Sequence, residues 1–329
     1  MTVTRRSVLQ ASAASLLTGV ARRTFAQATP YETVRIITGF PPGGTSDTIC
    51  RRVASKLAPG YGKSVVVENR AGAGGQIVIQ GMKQLPPDGT AILQTPMSML
   101  GIYPHIYKKL QYDPIADVTP VSLGAIFDFG FAVGPAVPAS VRNIAEFLAW
   151  CKANPTQANF GSPAAGSVPH FIGVLIGRSA GVDLKHVPYR GTQPAILEMI
   201  GGQIQSVSGP VGEFVQHVAA GKIRLLATSG AQRNKFAPSV PTLVEQGLKD
   251  MAYNEWFGFY LPAKASPEVV QRANAALRSA LAEKDVVDGL EVMGLESKSS
   301  SPGELAAMLK ADTERWGPVV KAIGFTADS

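Results

Sequence analysis

Short β-branched runs that each give way to a glycine-rich loop and then a helical pattern recur along this chain, and that rhythm admits few folds. Val34 to Thr38 reads as a strand, Gly39 to Ser46 as a loop, and Asp47 to Leu57 as a helix with Ile49, Val53 and Leu57 on one face. Ser64 to Glu68 is a second strand, Asn69 to Gly74 a second glycine-rich turn, Gly75 to Leu85 a helix, and Thr90 to Gln94 a third strand. Strand, loop and helix in that order build βαβ units, which predicts an α/β fold with doubly wound parallel sheets.

A second series begins beyond Pro135 and Pro138. It comprises helix Asn143 to Ala153, strand Ala158 to Phe160, a loop at Gly161 to Gly166, helix Ser167 to Ala180 and strand Lys185 to Val187. Helix Thr192 to Ile200, strand Gln203 to Val207, helix Gly212 to Ala219 and strand Lys222 to Ala227 follow. A β-rich stretch, Glu255 to Leu261, then leads into two C-terminal helices. One starts at Ser266-Pro267, a cap followed by proline at the first helical position, and the other at the capping box Ser301-Pro302-Gly303-Glu304. The expected organisation is two lobes, residues 29–129 with 256–329 forming one and 130–255 the other. Crossings near Phe127 to Val133 and Tyr253 to Phe259 would make a hinge with a cleft beneath it.

The first 28 residues read as an address. Thr4-Arg5-Arg6-Ser7-Val8-Leu9-Gln10 is a twin-arginine pattern, an apolar stretch runs from Ala11 to Ala21, and Ala26-Gln27-Ala28 supplies the cleavage signature. The expected product is an exported periplasmic protein beginning after Ala28. Four of the arginines lie in that segment, so the formal charge of +7 overstates the remainder, where 27 basic residues meet 24 acidic ones. That balance, without a basic stripe, argues against nucleic acid as a partner. Cys50 and Cys151 are too few for a disulfide framework; a bridge in an oxidising compartment would pin two lobes together, and the preferred reading is two buried thiols.

Ligands of open α/β sheets sit beyond the carboxyl ends of strands, where helices begin. Phe40-Pro41-Pro42-Gly43-Gly44-Thr45-Ser46-Asp47 is such a place. Gly43 and Gly44 let backbone N–H groups approach a guest, Thr45 and Ser46 add hydroxyls, and Asp47 a capping oxygen. A helix start carries roughly half a positive charge, so an anion is the favoured guest, although a capped helix after a tight turn explains the same residues. From the other lobe, Gly161-Ser162-Pro163-Ala164-Ala165-Gly166-Ser167 and Tyr189-Arg190-Gly191-Thr192 take the corresponding position, with Arg190 either a salt-bridge partner or a surface side chain.

Several catalytic patterns fail on context. Gly177-Arg178-Ser179-Ala180-Gly181 has the spacing of a nucleophile elbow but ends a helix. Gly62-Lys63-Ser64 resembles the tail of a phosphate-binding loop but precedes a strand, and Gly72 onward lacks the third glycine of a dinucleotide fingerprint. His105, His170, His186 and His217 show no metal-ligand spacing, and most of them read as surface or capping residues. No cofactor, metal or catalytic residue is expected, and a hydrolase or dehydrogenase lacks a nucleophile–base pair in any recognisable setting.

Phe40 to Asp47, the run Val65-Val66-Val67-Glu68-Asn69-Arg70-Ala71-Gly72-Ala73-Gly74-Gly75, and Tyr107-Lys108-Lys109-Leu110-Gln111-Tyr112-Asp113-Pro114 together resemble the Bug/TctC family. These are the extracytoplasmic solute receptors of tripartite tricarboxylate transporters. His186-Val187-Pro188-Tyr189-Arg190-Gly191, Gly201-Gly202-Gln203-Ile204-Gln205, Pro241-Thr242 and Trp256-Phe257-Gly258 extend the likeness over the whole chain beyond the leader. The resemblance implies a type II periplasmic-binding-protein fold and a small carboxylate ligand. It also implies a monomeric, non-enzymatic receptor serving integral membrane permease subunits. Carried over, the first-lobe site is Gly43, Gly44, Thr45, Ser46, Asp47, Thr95 and Ser98, and the second-lobe site Ser162, Gly166, Ser167, Tyr189 and Gly191. A receptor that presents its ligand to a membrane sensor kinase is the alternative.

Ser208-Gly209-Pro210 stands where many relatives read Phe-Asp-Asn, and Pro163 and Ala164 replace a more usual Ala-Gly turn. The first departure implies that an acidic cleft residue is missing, and both imply a second-lobe wall that is smaller and less polar. The expected ligand is accordingly a larger or aromatic carboxylate without an amino group.

Overall fold

The computed structural model describes residues 29–327, so the twin-arginine leader lies outside the described residues. In chain order the strands are β1 (Tyr31–Thr38), β2 (Gly62–Asn69), β3 (Ala91–Pro96), β4 (Val118–Val133), β5 (Asn159–Ser162), β6 (Lys185–Pro188), β7 (Ser206–Pro210), β8 (Arg224–Thr228), β9 (Asn254–Pro262) and β10 (Glu296–Ser297). The first-lobe helices are α1 (Thr45–Leu57), α2 (Gln76–Gly81), α3 (Met97–Gly101) and α4 (Tyr103–Ile106). Four helices follow in the second series: α5 (Ile144–Ala153), α6 (Val168–Ser179), α7 (Thr192–Ile200) and α8 (Val211–Ala219). The C-terminal helices are α9 (Pro267–Ala282), α10 (Lys284–Glu291) and α11 (Pro302–Ile323).

The strand order is β2-β1-β3-β9-β4-β7-β5-β6, with β8 and β10 also paired to β4. Strands β2, β1 and β3 are parallel, as are β7, β5 and β6, in agreement with the βαβ reading. The centre is not parallel. β9 runs antiparallel to both β3 and β4, and β4 antiparallel to β7 and β8. These are the segments that carry the chain between lobes, and a strand that returns across its predecessor is necessarily antiparallel to it.

At about 3.3 Å per residue, the sixteen residues of β4 reach roughly 50 Å, long enough to serve both sheets. Its partner is β9 as far as Asp128 and β7 from Phe129 onward. Ser229 ties the two crossings together there. Its N–H donates to the Phe129 carbonyl at 2.8 Å, its hydroxyl accepts from the Phe129 N–H at 2.9 Å, and its carbonyl accepts from the Tyr253 N–H at 2.7 Å.

Local signals explain the helices. In α1, Ile49, Val53 and Leu57 are buried on one face together with Cys50. The Ser301 hydroxyl accepts from the Glu304 N–H while the Glu304 carboxylate accepts from the Ser301 N–H, so the capping box forms. Leu305, Leu309 and Trp316 of α11 are buried. Cys50 and Cys151 are buried and free. Gly62 to Ser64, read as lying ahead of a strand, is in fact the start of β2.

Candidate ligand-binding cleft

Where β4 and β9 cross between the lobes, a cleft opens that is bounded by the starts of α1, α3, α6 and α7. The space within it, counted out into open solvent at its mouth, is about 550 Å³. Of the residues singled out from sequence, Gly44, Thr45, Ser46, Ser98, Ser167 and Gly191 line it. Phe40, Phe127, Phe129 and Phe257 supply an aromatic wall, with the Phe127 ring 4.5 Å from Phe257 and 5.5 Å from Phe129 between centroids.

Six anticipated residues do not line it. Asp47 is a buried anchor for its loop, its carboxylate accepting from the Gly43 N–H at 3.0 Å, Arg51 Nε at 2.9 Å and Asn69 Nδ2 at 2.9 Å. Burial pushes its pKa up, but Arg51, the Gly43 N–H and Asn69 outweigh that and hold it below the ordinary aspartate value. Gly43 thus serves that bond, and Thr95 lies buried in β3. Ser46, although at the cleft wall, spends its hydroxyl on Gln94 Oε1 at 2.5 Å, part of a buried cluster with Thr38.

On the second-lobe side, Ser162 faces His186 Nε2 at 2.8 Å, and the Gly166 N–H donates to His170 Nδ1 at 3.0 Å. Tyr189 turns to the surface, where its hydroxyl donates to Glu198 at 2.5 Å. Arg190 is exposed and outside the lining. His170 is buried and His186 half-buried, their rings 4.0 Å apart, so these two are not among the surface histidines. Sequence reasoning missed them because partners sixteen residues apart have no spacing signature. The Ser162–His186 contact has hydrolase chemistry in outline only. Ser162 is fully buried away from the cleft, and burial, reinforced by His170, lowers the His186 pKa to about 3, too low for a base.

The principal correction concerns acid. Glu213 and Glu255, neither singled out from sequence, both line the cleft with exposures of 6% and 3%. Glu213 Oε1 accepts from the Thr45 N–H at 3.1 Å and from Thr45 Oγ1 at 3.0 Å, bridging the lobes, and its Oε2 accepts from Gln193 Nε2 at 3.1 Å. Glu255 Oε1 accepts from the Ser98 N–H at 2.7 Å and from the Ser98 hydroxyl. A second bridge between lobes runs from the Val168 N–H to Ser98 Oγ at 3.3 Å.

The starts of α1 and α3, expected to meet a ligand anion, are therefore met by the protein's own carboxylates. Burial pushes Glu255 up to about 7 and raises Glu213 above the ordinary glutamate value, in both cases against the hydrogen bonds they accept. The acid absent from Ser208-Gly209-Pro210 is supplied one helical turn later and from β9. The adjoining expectation of apolar character holds for Pro163, Ala164 and Pro210, which line the cleft.

Two α/β lobes joined by crossing strands, with an enclosed cleft between helix starts, define a solute receptor of the periplasmic-binding-protein fold. The sequence matches the model of the tripartite tricarboxylate transporter family receptor, TctC, over residues 49–325, and the chain belongs to that family. It is 32% identical over 317 residues to a protein encoded in the tcbD–tcbE intergenic region of Pseudomonas sp. strain P51, covering 96% of this chain and 94% of that one. Among solved structures, the periplasmic binding protein BugD superposes with a TM-score of 0.85 at 26% identity, over 91% of this chain and 100% of BugD. An R. palustris protein solved with adipate gives 0.85 at 27% identity, over 91% and 99% of the two chains. MatC from Rhodopseudomonas palustris with bound malate gives 0.81 at 27% identity, over 88% and 99%.

Proposed function

We propose that this chain is exported to the periplasm, closes its lobes on a small organic acid and delivers it to the integral membrane subunits of a tripartite tricarboxylate-type transporter. The observation that carries this reading is the enclosed cleft at the junction of the lobes. Mobile halves joined by two crossings can convert ligand capture into a change of outer shape that a membrane partner can read. The adipate and malate seen in structurally similar proteins support a carboxylate as guest.

With the starts of α1 and α3 engaged by Glu213 and Glu255, the guest's carboxylate is assigned to the start of α7. There Gly191 caps the helix and the N–H groups of Thr192 and Gln193 have no carbonyl partner within it. A thermal-shift screen of carboxylic acids on the leader-free protein tests the reading. A true ligand at about a hundredfold above its dissociation constant adds roughly 2.7 kcal/mol of stability. Turnover of the stabilising compound, or no response to any organic acid, would refute it.

A further inference from the structure

A cleft built to hold only anions would not present two buried carboxylates to its guest. Glu213 and Glu255 reach it from different elements, α8 and β9, and both are more than nine-tenths buried. Among the described residues no lysine, arginine or histidine lines the cleft to neutralise them. Glu213 has every oxygen engaged, but the contacts of Glu255 all fall on Oε1, and its Oε2 accepts from no protein donor among the described residues. Glu255 is in the cleft lining, and its Oε2 is not among the fully buried unpartnered atoms, so that oxygen keeps contact with open space and is free to accept a hydrogen bond from a guest.

The surroundings fix what kind of donor fits. Phe127 and Phe257 stand side by side with Phe129 and Phe40 near them, and the faces of such rings attract a cation as well as packing an apolar body. A dicarboxylate laid here would face two acids with no basic side chain in the lining, and would be accommodated only by their protonated forms, whereas an ammonium group is attracted by either acid in its ionised form.

We propose that the ligand bears an ammonium group, received by Glu255 with Glu213 beside the same cleft, on an apolar or aromatic body seated among the phenylalanines. This rests on the receptor reading above and narrows it to an amine-bearing organic acid, the reverse of the amino-free ligand that the sequence alone suggested. Gln193 joins the two ends, since its side chain donates to Glu213 while its backbone N–H lies at the start of α7 assigned to the carboxylate.

Matched probes test it by calorimetry and thermal shift: phenylalanine, 3-phenylpropanoate and phenethylamine, with leucine, 4-methylpentanoate and 3-methylbutylamine as the aliphatic set. Ammonium-bearing members should bind and their amino-free counterparts should not. Glu255→Gln should weaken the ammonium-bearing probe at least about tenfold, as expected when one partner of a buried charge pair is neutralised, while the melting temperature confirms that the variant folds. Binding of the amino-free acids, or silence of every ammonium-bearing probe, overturns the proposal. If phenethylamine binds and neither acid does, the ammonium site stands and the carboxylate reading falls. If 3-phenylpropanoate binds and phenethylamine does not, the reverse holds.

Discussion

Glu255 shows how burial of one side chain sets a pH dependence of stability. Its folded-state pKa is about 7, above the ordinary value near 4.5, so the folded state resists ionisation more than the unfolded state does. That penalty is fully present above pH 7, on the order of 3 kcal/mol, and it disappears as pH falls towards 4.5. The Glu255→Gln variant keeps an acceptor for Ser98 without the charge. Its melting temperature should exceed that of the native protein at pH 8, and the gap should close by pH 5; an equal gap at both values would mean that ionisation is not the cause. His170 and His186 act in the opposite sense. Burial depresses them to about 4 and about 3, so the stability of their neutral forms is lost as pH falls below 6.5 towards those values. Neither pair of residues has a spacing signature, and residue type in isolation gave no reason to place Glu213 at the start of a helix from the other lobe.

At the scale of elements, the start of α8 is what delivers Glu213 to the cleft. Gly212, just before it, has no room for a side chain, since a Cβ there would lie 1.8 Å from the Met293 carbonyl oxygen. Backbone cannot yield as a flexible side chain can, so Gly212→Ala should shift α8 and destabilise the protein by about 2–3 kcal/mol in chemical denaturation. Ligand affinity should fall with it, because Glu213 moves too. A variant as stable as the native protein would show that the α8–Met293 contact relaxes freely. Gly44 plays the complementary part on α1, where an added Cβ would press on Glu213 Oε1 at 3.3 Å. The helices with strong end signals were placed within a few residues from sequence, whereas α3, α4 and α10 were not, being only five, four and eight residues long.

For the molecule as a whole, the lobes are held together across the cleft by bonds that a ligand must accommodate. Thr45 of α1 donates twice to Glu213 of α8, and Val168 of α6 donates to Ser98 of α3. Thr45→Val keeps the side-chain shape and removes one hydrogen bond to a charged acceptor, worth about 1.5–3 kcal/mol. The unliganded variant should be more open, with a larger radius of gyration in small-angle scattering, and should close again when ligand is added. Identical scattering with and without the substitution would rule out this bond as a clasp. The crossing strands β4 and β9, pinned at Ser229, are untouched by that change.

The amino-acid sequence determined by itself the βαβ rhythm, the helix caps and the stations where loops meet helix starts, because propensity, capping and periodicity act over a few residues. It also carried the family likeness, which is spread over many ordered motifs. Only the tertiary structure decided which groups occupy those helix starts. Glu213 reaches Thr45 across 168 positions, and Glu255 reaches Ser98 across 157. The first contact needs both lobes folded and brought face to face, and the second needs β9 returned beside β3, so no local pattern can announce that the cleft is lined with acid.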